Sequence, residues 1–371
     1  MFNPFITSGY AGPEYFCDRE TETGTIVRLL QNGNNVALIS PRRYGKTDLI
    51  RHCFEQPEIK DKYYTFIIDI YSTKSYSEMV VTMGKSILEA LKPRGRKAWE
   101  QFVNLIMSVR PGISFDAQGS PTWSLGVNSL NNPTTTLEEI FQYLNSADRP
   151  CIVAIDEFQQ ITKYGDDNIE ALLRTHIQYC RNAKFIFSGS HMHLMSSMFT
   201  SSSRPFYQSV TLFRLEIIPL PKYSEFCQRM FNQAGKNIEA DTIQQVYGMF
   251  DGVTFYMQRI MNELFTMTAN GDTCQASMIQ DAINNILGYA GSLYEDLMYQ
   301  LPIKQADLLR AIAAEGKATK LTSGSFTKRH NLTSPSSVKS ALPALIDKGL
   351  VSTDKGTYQV YDKFLELWIL R

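Results

Sequence analysis

Four consecutive apolar residues, Val36 to Ile39, run without a break into Ser40-Pro-Arg-Arg-Tyr-Gly-Lys-Thr47, and this junction constrains the fold more than any other stretch. An apolar run of that length after the Asn32-Gly33-Asn34-Asn35 turn suits a short strand buried on both faces. The polar loop, with Gly45 near its end, predicts a sharp turn into a helix. Its spacing matches the phosphate-binding pattern G-x-x-x-x-G-K-[ST], with Ser40 in place of the first glycine. A polyphosphate needs such a loop because clustered backbone N–H groups and a helix N-terminus together surround its charge. Lys46 would reach the β- and γ-phosphates, the Thr47 hydroxyl would ligate Mg2+, and Gly45 would let the backbone come close.

The surrounding chain repeats the strand-then-helix pattern. Strands are expected at 65–70, 151–155, 184–188 and 210–217, with helices at 77–91 and 137–144. That alternation predicts an α/β domain, a parallel sheet flanked by helices on both faces. Between Arg94 and Thr136 the pattern loosens, and the alternation at Ile113/Phe115 and Trp123/Leu125/Val127 reads as an inserted hairpin. The basic run Arg94-Gly-Arg-Lys97 reads as a solvated helix end, the alternative being contact with a partner. Ile218-Pro-Leu-Pro221 breaks the pattern, and from Tyr223 to about Leu287 the apolar spacing turns helical, as in a lid. From Leu301 three helices precede two alternating segments joined by Asp354-Lys355-Gly356, the winged-helix arrangement. The expected division is a nucleotide-binding domain over 1–218, a helical lid over 219–300 and a winged helix over 301–371.

A second chemical element is the apolar strand ending in Asp156-Glu157, placed downstream as a Walker-B strand is. Asp156 can hold the Mg2+ shell, and Glu157 can orient and deprotonate an attacking water as general base. Ser188-Gly189-Ser190 ends the following strand, where a polar side chain such as Ser188 could report a γ-phosphate, or could serve only a turn. Arg204 and Arg174 are candidates for a charge that stabilises the transition state, the alternative for each being a structural arginine. The five histidines show no metal-binding pattern, and the six cysteines form no C-x-x-C pair, so reduced thiols are expected.

Lys+Arg and Asp+Glu both total 37, so no global charge pushes the chain toward nucleic acid or an anionic membrane. No apolar run is long enough to span a bilayer, and Met1 to Tyr10 lacks the features of a secretory leader, so a cytoplasmic location is expected.

These residues resemble the archaeal-type ATPase family, P-loop proteins of the STAND branch of AAA+ ATPases. The resemblance rests on Tyr15-Phe-Cys-Asp-Arg-Glu20, Pro41-Arg42-Arg43-Tyr44-Gly45-Lys46-Thr47-Asp48-Leu49 and Ile155-Asp-Glu-Phe-Gln159. It continues through Phe187-Ser-Gly-Ser190 and Arg204-Pro-Phe-Tyr207, and ends at Tyr361-Asp-Lys-Phe-Leu-Glu-Leu-Trp368. It implies an ATP/ADP-bound, Mg2+-dependent switch with slow hydrolysis, in which Phe16 to Glu20, Phe16 and Arg19 included, lie against the adenine. The residues 41–48 would cradle the phosphates, and the lid would close over the nucleotide. One departure is Asp251-Gly-Val-Thr-Phe-Tyr256, where similar proteins often carry a Gly-Gly-x-Pro-like turn.

Residues 301–371 hold eleven Lys/Arg, at 304, 310, 317, 320, 328, 329, 339, 348, 355, 363 and 371, against six Asp/Glu, at 307, 315, 347, 354, 362 and 366. The excess fits DNA contact by Ser334, Ser336, Ser337 and Lys339 at the start of a recognition helix. That helix carries few cations, however, and winged helices in similar ATPases often dock on protein or on their own chain. The readings left open are a nucleotide switch with a protein partner or self-association, an ATP-dependent DNA-binding regulator, and a non-hydrolysing interaction protein.

Overall fold

The computed structural model describes residues 2–90, 114–115, 121–122, 133–165 and 168–371. They form two compact units, one of residues 8–218 and one that joins residues 1–7 to 219–371.

In the first unit, α1 (Glu20–Gln31) leads to β1 (Val36–Ile39) and α2 (Lys46–Phe54), then β2 (Tyr64–Asp69), α3 (Tyr76–Ala90) and α4 (Pro133–Ser146). The sheet continues with β3 (Cys151–Asp156), α5 (Ile169–Tyr179), β4 (Ala183–Gly189), α6 (Met192–Thr200) and β5 (Thr211–Arg214). The strand order is β2-β3-β4-β1-β5, every pair parallel. Because side chains alternate along a strand, each parity builds its own core. Val36, Leu38, Ile152, Ala154 and Ile186 pack with α1 and α2. Ala37, Ile39, Val153, Ile155, Phe185 and Phe187 pack with the helices α3 to α6. Burial on both faces explains why these strands read as unbroken apolar runs.

Ser114–Phe115 pairs antiparallel with Pro121–Thr122. The rest of the expected hairpin, Ile113, Trp123, Leu125 and Val127, and the basic run 94–97 lie outside the described residues.

The second unit begins with α7 (Leu220–Gln233), β6 (Asn237–Ile238), α8 (Ala240–Met249), α9 (Thr254–Met267), β7 (Thr273–Cys274) and α10 (Ile279–Gln300). Phe5 belongs to this core: it is fully buried and meets Phe226, Phe231 and Phe265 at 5.6–5.8 Å. Asn262 Nδ2 donates to Phe5 O at 2.7 Å and fixes that segment. Phe5, expected with the nucleotide-binding domain, thus packs among helices more than 200 positions away.

The chain ends in α11 (Ile303–Glu315), β8 (Ala318–Thr319), α12 (Gly324–Arg329), α13 (Pro335–Asp347), β9 (Val351–Asp354), β10 (Thr357–Val360) and α14 (Lys363–Ile369). The strands form an antiparallel sheet in the order β8-β10-β9, which with the three helices is the winged helix. Lys355 and Gly356 both have positive φ, 46° and 82°, the backbone a tight two-residue hairpin turn requires. Ser334 caps α13 in a reciprocal box with Ser337. Tyr256 Oη donates to Tyr361 O at 2.9 Å and accepts from Lys363 N at 3.1 Å, while Phe364 packs against Phe250 and Tyr256. The closing apolar run is therefore a helix that buries Phe364 and Leu365 and is anchored to the α8–α9 turn.

Among the described residues no helix is long and apolar enough to cross a membrane. All six cysteines are buried and unbonded to one another.

Candidate functional site

The connection after β1 is the switch point of the sheet, because β1 lies between β4 and β5 while the chain leaves it for the far edge at β2. In open parallel sheets such a point opens a crevice at the carboxyl ends of the strands, where ligands bind. Residues 40–45 fill this position. Arg43 (φ 71°) and Gly45 (φ 85°) are both left-handed, which folds the loop back on itself before α2 starts at Lys46.

Lys46 is 6% exposed, and its Nζ donates to Ser40 O and Pro41 O at 3.1 Å each, with Ser40 Oγ at 3.4 Å. Ser40 thus keeps the loop's grip on the lysine through its carbonyl, a group any residue at this position would supply. Burial holds the Lys46 ammonium below the ordinary lysine range, and the nearby Glu157 and Asp156 carboxylates oppose that shift.

Thr47 Oγ1 donates to Asp156 Oδ2 at 2.6 Å, joining the start of α2 to the end of β3. Asp156 Oδ1 accepts from Glu157 N at 3.0 Å. Asp69 is the register partner of Asp156 on β2, and burial raises the Asp69 carboxyl, with Asp156 and Glu157 adding to the effect. Burial also raises Asp48 in the first turn of α2. Hard oxygen donors therefore gather beside a buried cation.

Glu157 adopts a left-handed backbone (φ 53°), a strained choice for a residue with a side chain. Its Oε2 accepts from Ser190 Oγ at 2.7 Å and Gln159 Nε2 at 2.5 Å, and Arg42 Nε stands 4.0 Å from Oε1. Arg42 also donates to Ser190 Oγ at 3.4 Å and lies over the Tyr71 ring. It is Ser190, rather than Ser188, that meets Glu157. Ser188 is fully buried in β4 opposite Leu38, and its Oγ has no partner among the described residues. Gly189 is required between them: a Cβ there would lie 2.5 Å from Met195 Sδ and closer still to Gln159 Oε1.

The entry segment is held differently from the loop. Asp18 and Arg19 are left-handed, and Arg19 is buried with Nη1 on Glu22 at 2.7 Å and Nη2 on Glu216 O at 2.6 Å. Arg19 thus fastens residues 16–20 to α1 and to the chain after β5. Phe16 stacks on His52 of α2 at 4.2 Å, and Tyr10 Oη lies 2.8 Å from His52 Nδ1. Arg204 pairs with Glu170 of α5 at 2.6 Å. No local sequence pattern marks His52 or Tyr10 as site residues, and the one signal for Gln159 is its place two residues beyond Glu157.

Residues 16–260 match the family described as "ATPase domain predominantly from Archaea". The chain belongs to that family. Residues 292–371 of this ATPase match a "Probable winged helix domain". A relative from Methanocaldococcus jannaschii, named an "Uncharacterized ATP-binding protein", is 28% identical over 171 residues. That match covers 43% of this chain and 46% of the relative, so the chain spans less than half the relative's length in the alignment. Among solved structures, the Walker-type ATPase of Pyrococcus abyssi superposes with a TM-score of 0.63 at 18% identity, covering 99% of this chain and 100% of the other. The Aeropyrum pernix ORC2 protein, solved with ADPNP and ADP, gives 0.59 at 14% identity over 99% and 97%. The ORC1 protein of the same organism, solved with DNA, gives 0.54 at 11% over 96% and 93%. These likenesses establish a P-loop ATPase fold, AAA+-like, followed by a winged helix.

Proposed function

We propose that this ATPase is a Mg2+-dependent nucleotide switch of the STAND type, hydrolysing ATP slowly in the cytoplasm through the site around Lys46 and Glu157. The observation that carries this reading is the 2.6 Å bond from Thr47 Oγ1 to Asp156 Oδ2. It brings the two oxygen ligands an ATP-bound magnesium ion uses to one point beside a buried lysine. Thr47 and Asp156 fit that ion, which when bound would neutralise charge on the β- and γ-phosphates. Lys46 would exchange its loop carbonyls for phosphate oxygens, and the N–H groups of residues 41–48 would bind the phosphate chain. Glu157 would accept the proton of the attacking water. Its present partners, Ser190, Gln159 and Arg42, hold the carboxylate by three contacts, which fits a base that must be released before each turnover and hence a low rate. In this reading residues 219–300 act as the lid and 301–371 relay its state.

The test is phosphate release from ATP with Mg2+, alongside Lys46→Ala and Glu157→Gln, with bound nucleotide identified by chromatography after denaturation. Turnover in the parent, loss of nucleotide from Lys46→Ala and retained ATP without turnover in Glu157→Gln are expected. Robust turnover in Glu157→Gln would remove Glu157 as the base. Absence of both nucleotide and turnover from the parent would overturn the reading.

A second reading, DNA contact, is favoured by the α13 surface: Ser336, Lys339, the preceding Lys328 and the hairpin Lys355 are all exposed. Salt-sensitive duplex binding weakened by Lys339→Glu would support it, and unchanged affinity would remove it.

A further inference from the structure

At the opposite end of the same sheet, where β4, β1 and β5 begin, there is a cavity of about 420 Å³. Asn35 immediately precedes β1, Ala183 opens β4, and Ser209 stands just before β5, so the floor is made of strand starts. Its charged lining is Arg174 of α5, Arg181 and Lys184, with no carboxylate among the lining residues. None of the three cations makes an ion pair among the described residues. Arg174 Nη1 donates to the neutral Gln178 Oε1 at 2.9 Å, and Arg174 Nε is buried with no acceptor at all among the described residues. Asn35 Oδ1 already accepts from Phe185 N at 2.9 Å, so its free valence is a donor.

The lining is therefore rich in donors and positive charge and carries no negative charge, the opposite of the acid-rimmed loop site. Buried guanidinium donors left without partners are costly, and a multidentate oxyanion satisfies several at once. The planar fork of arginine matches phosphate oxygens, and a lysine adds a point charge. The volume falls in the ordinary range for small-ligand pockets. We propose that this cavity is a second anion site, which binds a phosphate-bearing ligand independently of the nucleotide loop. Lys184 and Ser190 lie six residues apart on or just beyond β4, which puts the two sites roughly 20 Å apart along one strand. Because its charge comes from side chains alone, binding needs no divalent metal, whereas the loop site is built to share its phosphates with one.

The experiment is calorimetric titration of the full chain with pyrophosphate in EDTA, with the loop site disabled by Lys46→Ala. Stoichiometric binding is expected, weakened at least tenfold by adding Arg174→Gln and Lys184→Gln, with circular dichroism melts confirming that each protein is folded. Should the triple variant not fold, Arg181→Gln at the exposed rim is expected to weaken binding several-fold by itself. A short DNA duplex added as competitor distinguishes the source: displacement of pyrophosphate identifies backbone phosphate, and no displacement identifies a free phosphorylated molecule. No binding at millimolar pyrophosphate in the Lys46→Ala protein, or equal affinity with Arg174 and Lys184 replaced, overturns the proposal.

Discussion

Two glycine-to-alanine changes in the same unit should move its stability in opposite directions. Gly189 ends β4 with an ordinary backbone, so alanine gains no relief or penalty from φ and acts only through its added methyl. That methyl would sit 2.5 Å from Met195 Cγ and Sδ and against the buried end of Gln159. Met195 is fully buried and cannot swing into solvent, so the displacement must be taken up by the core. Overpacking of this kind costs about 1–3 kcal/mol. For a body of this size that corresponds to a fall in Tm of roughly 2–4 °C per kcal/mol. A methyl added at Gly24, in α1, would meet nothing within 4 Å, and alanine there should stabilise by about 0.5–1 kcal/mol through helix propensity. The functional signature accompanies the first change only. Pushing Gln159 aside removes one of the hydrogen bonds on Glu157, so Gly189→Ala should alter ATP turnover as well as Tm, while Gly24→Ala should leave turnover intact. Calorimetric melting of both variants, with phosphate release measured below their transitions, checks the pair. An unchanged or raised Tm in Gly189→Ala would refute the packing argument.

Burial pushes His52 below the usual histidine range, and its partner Tyr10 up to about 12, so the pair is neutral at pH 7.5. A base whose folded pKa is depressed contributes stability fully above its unfolded value of 6.5, and loses it as pH falls through the folded one. The stability lost between pH 7.5 and pH 5.5 should therefore shrink in His52→Gln, measured by urea unfolding at both pH values; an equal loss would show that His176 and His191, shifted the same way, carry the effect. Arg204→Ala should cost about 1–3 kcal/mol by leaving Glu170 buried without its cation. Glu170→Gln separates the roles of that arginine: if Arg204 acts on the transition state, turnover falls in Arg204→Ala and persists in Glu170→Gln, and equal turnover in both would make the arginine purely structural.

The parts of this molecule that sequence made legible are those whose cause is local. Val36–Ile39, Cys151–Asp156 and Ala183–Gly189 announce themselves because two-sided burial makes their central residues apolar, and the loop because its glycine and Lys-Thr pair have fixed spacing. Most element boundaries fell within a few residues, though the fifth strand is shorter than its apolar run, ending at Arg214. What stayed hidden depends on which strands become neighbours. Ser190 reaches Glu157 only because β4 lies beside β3, a fact of strand order that no local pattern encodes. The same holds for the Arg204–Glu170 pair and for the cavity at the strand starts, assembled from three separated stretches of chain. Phe5 was illegible for a different reason, since an isolated aromatic near a chain end carries no period at all.

The burial of Phe5 bears on the order in which the chain can mature during synthesis. Residues 8–218 are contiguous and hold their own core, so they can fold as they emerge. Phe5 cannot be satisfied then, because Phe226, Phe231 and Phe265 are not yet made. For the time needed to add those residues and the helices that carry them, an apolar hook stays uncommitted next in sequence to an otherwise complete unit. The closure that buries it joins this segment to helices more than 200 positions later, and a ribosome that stalls before Phe265 leaves that hook exposed.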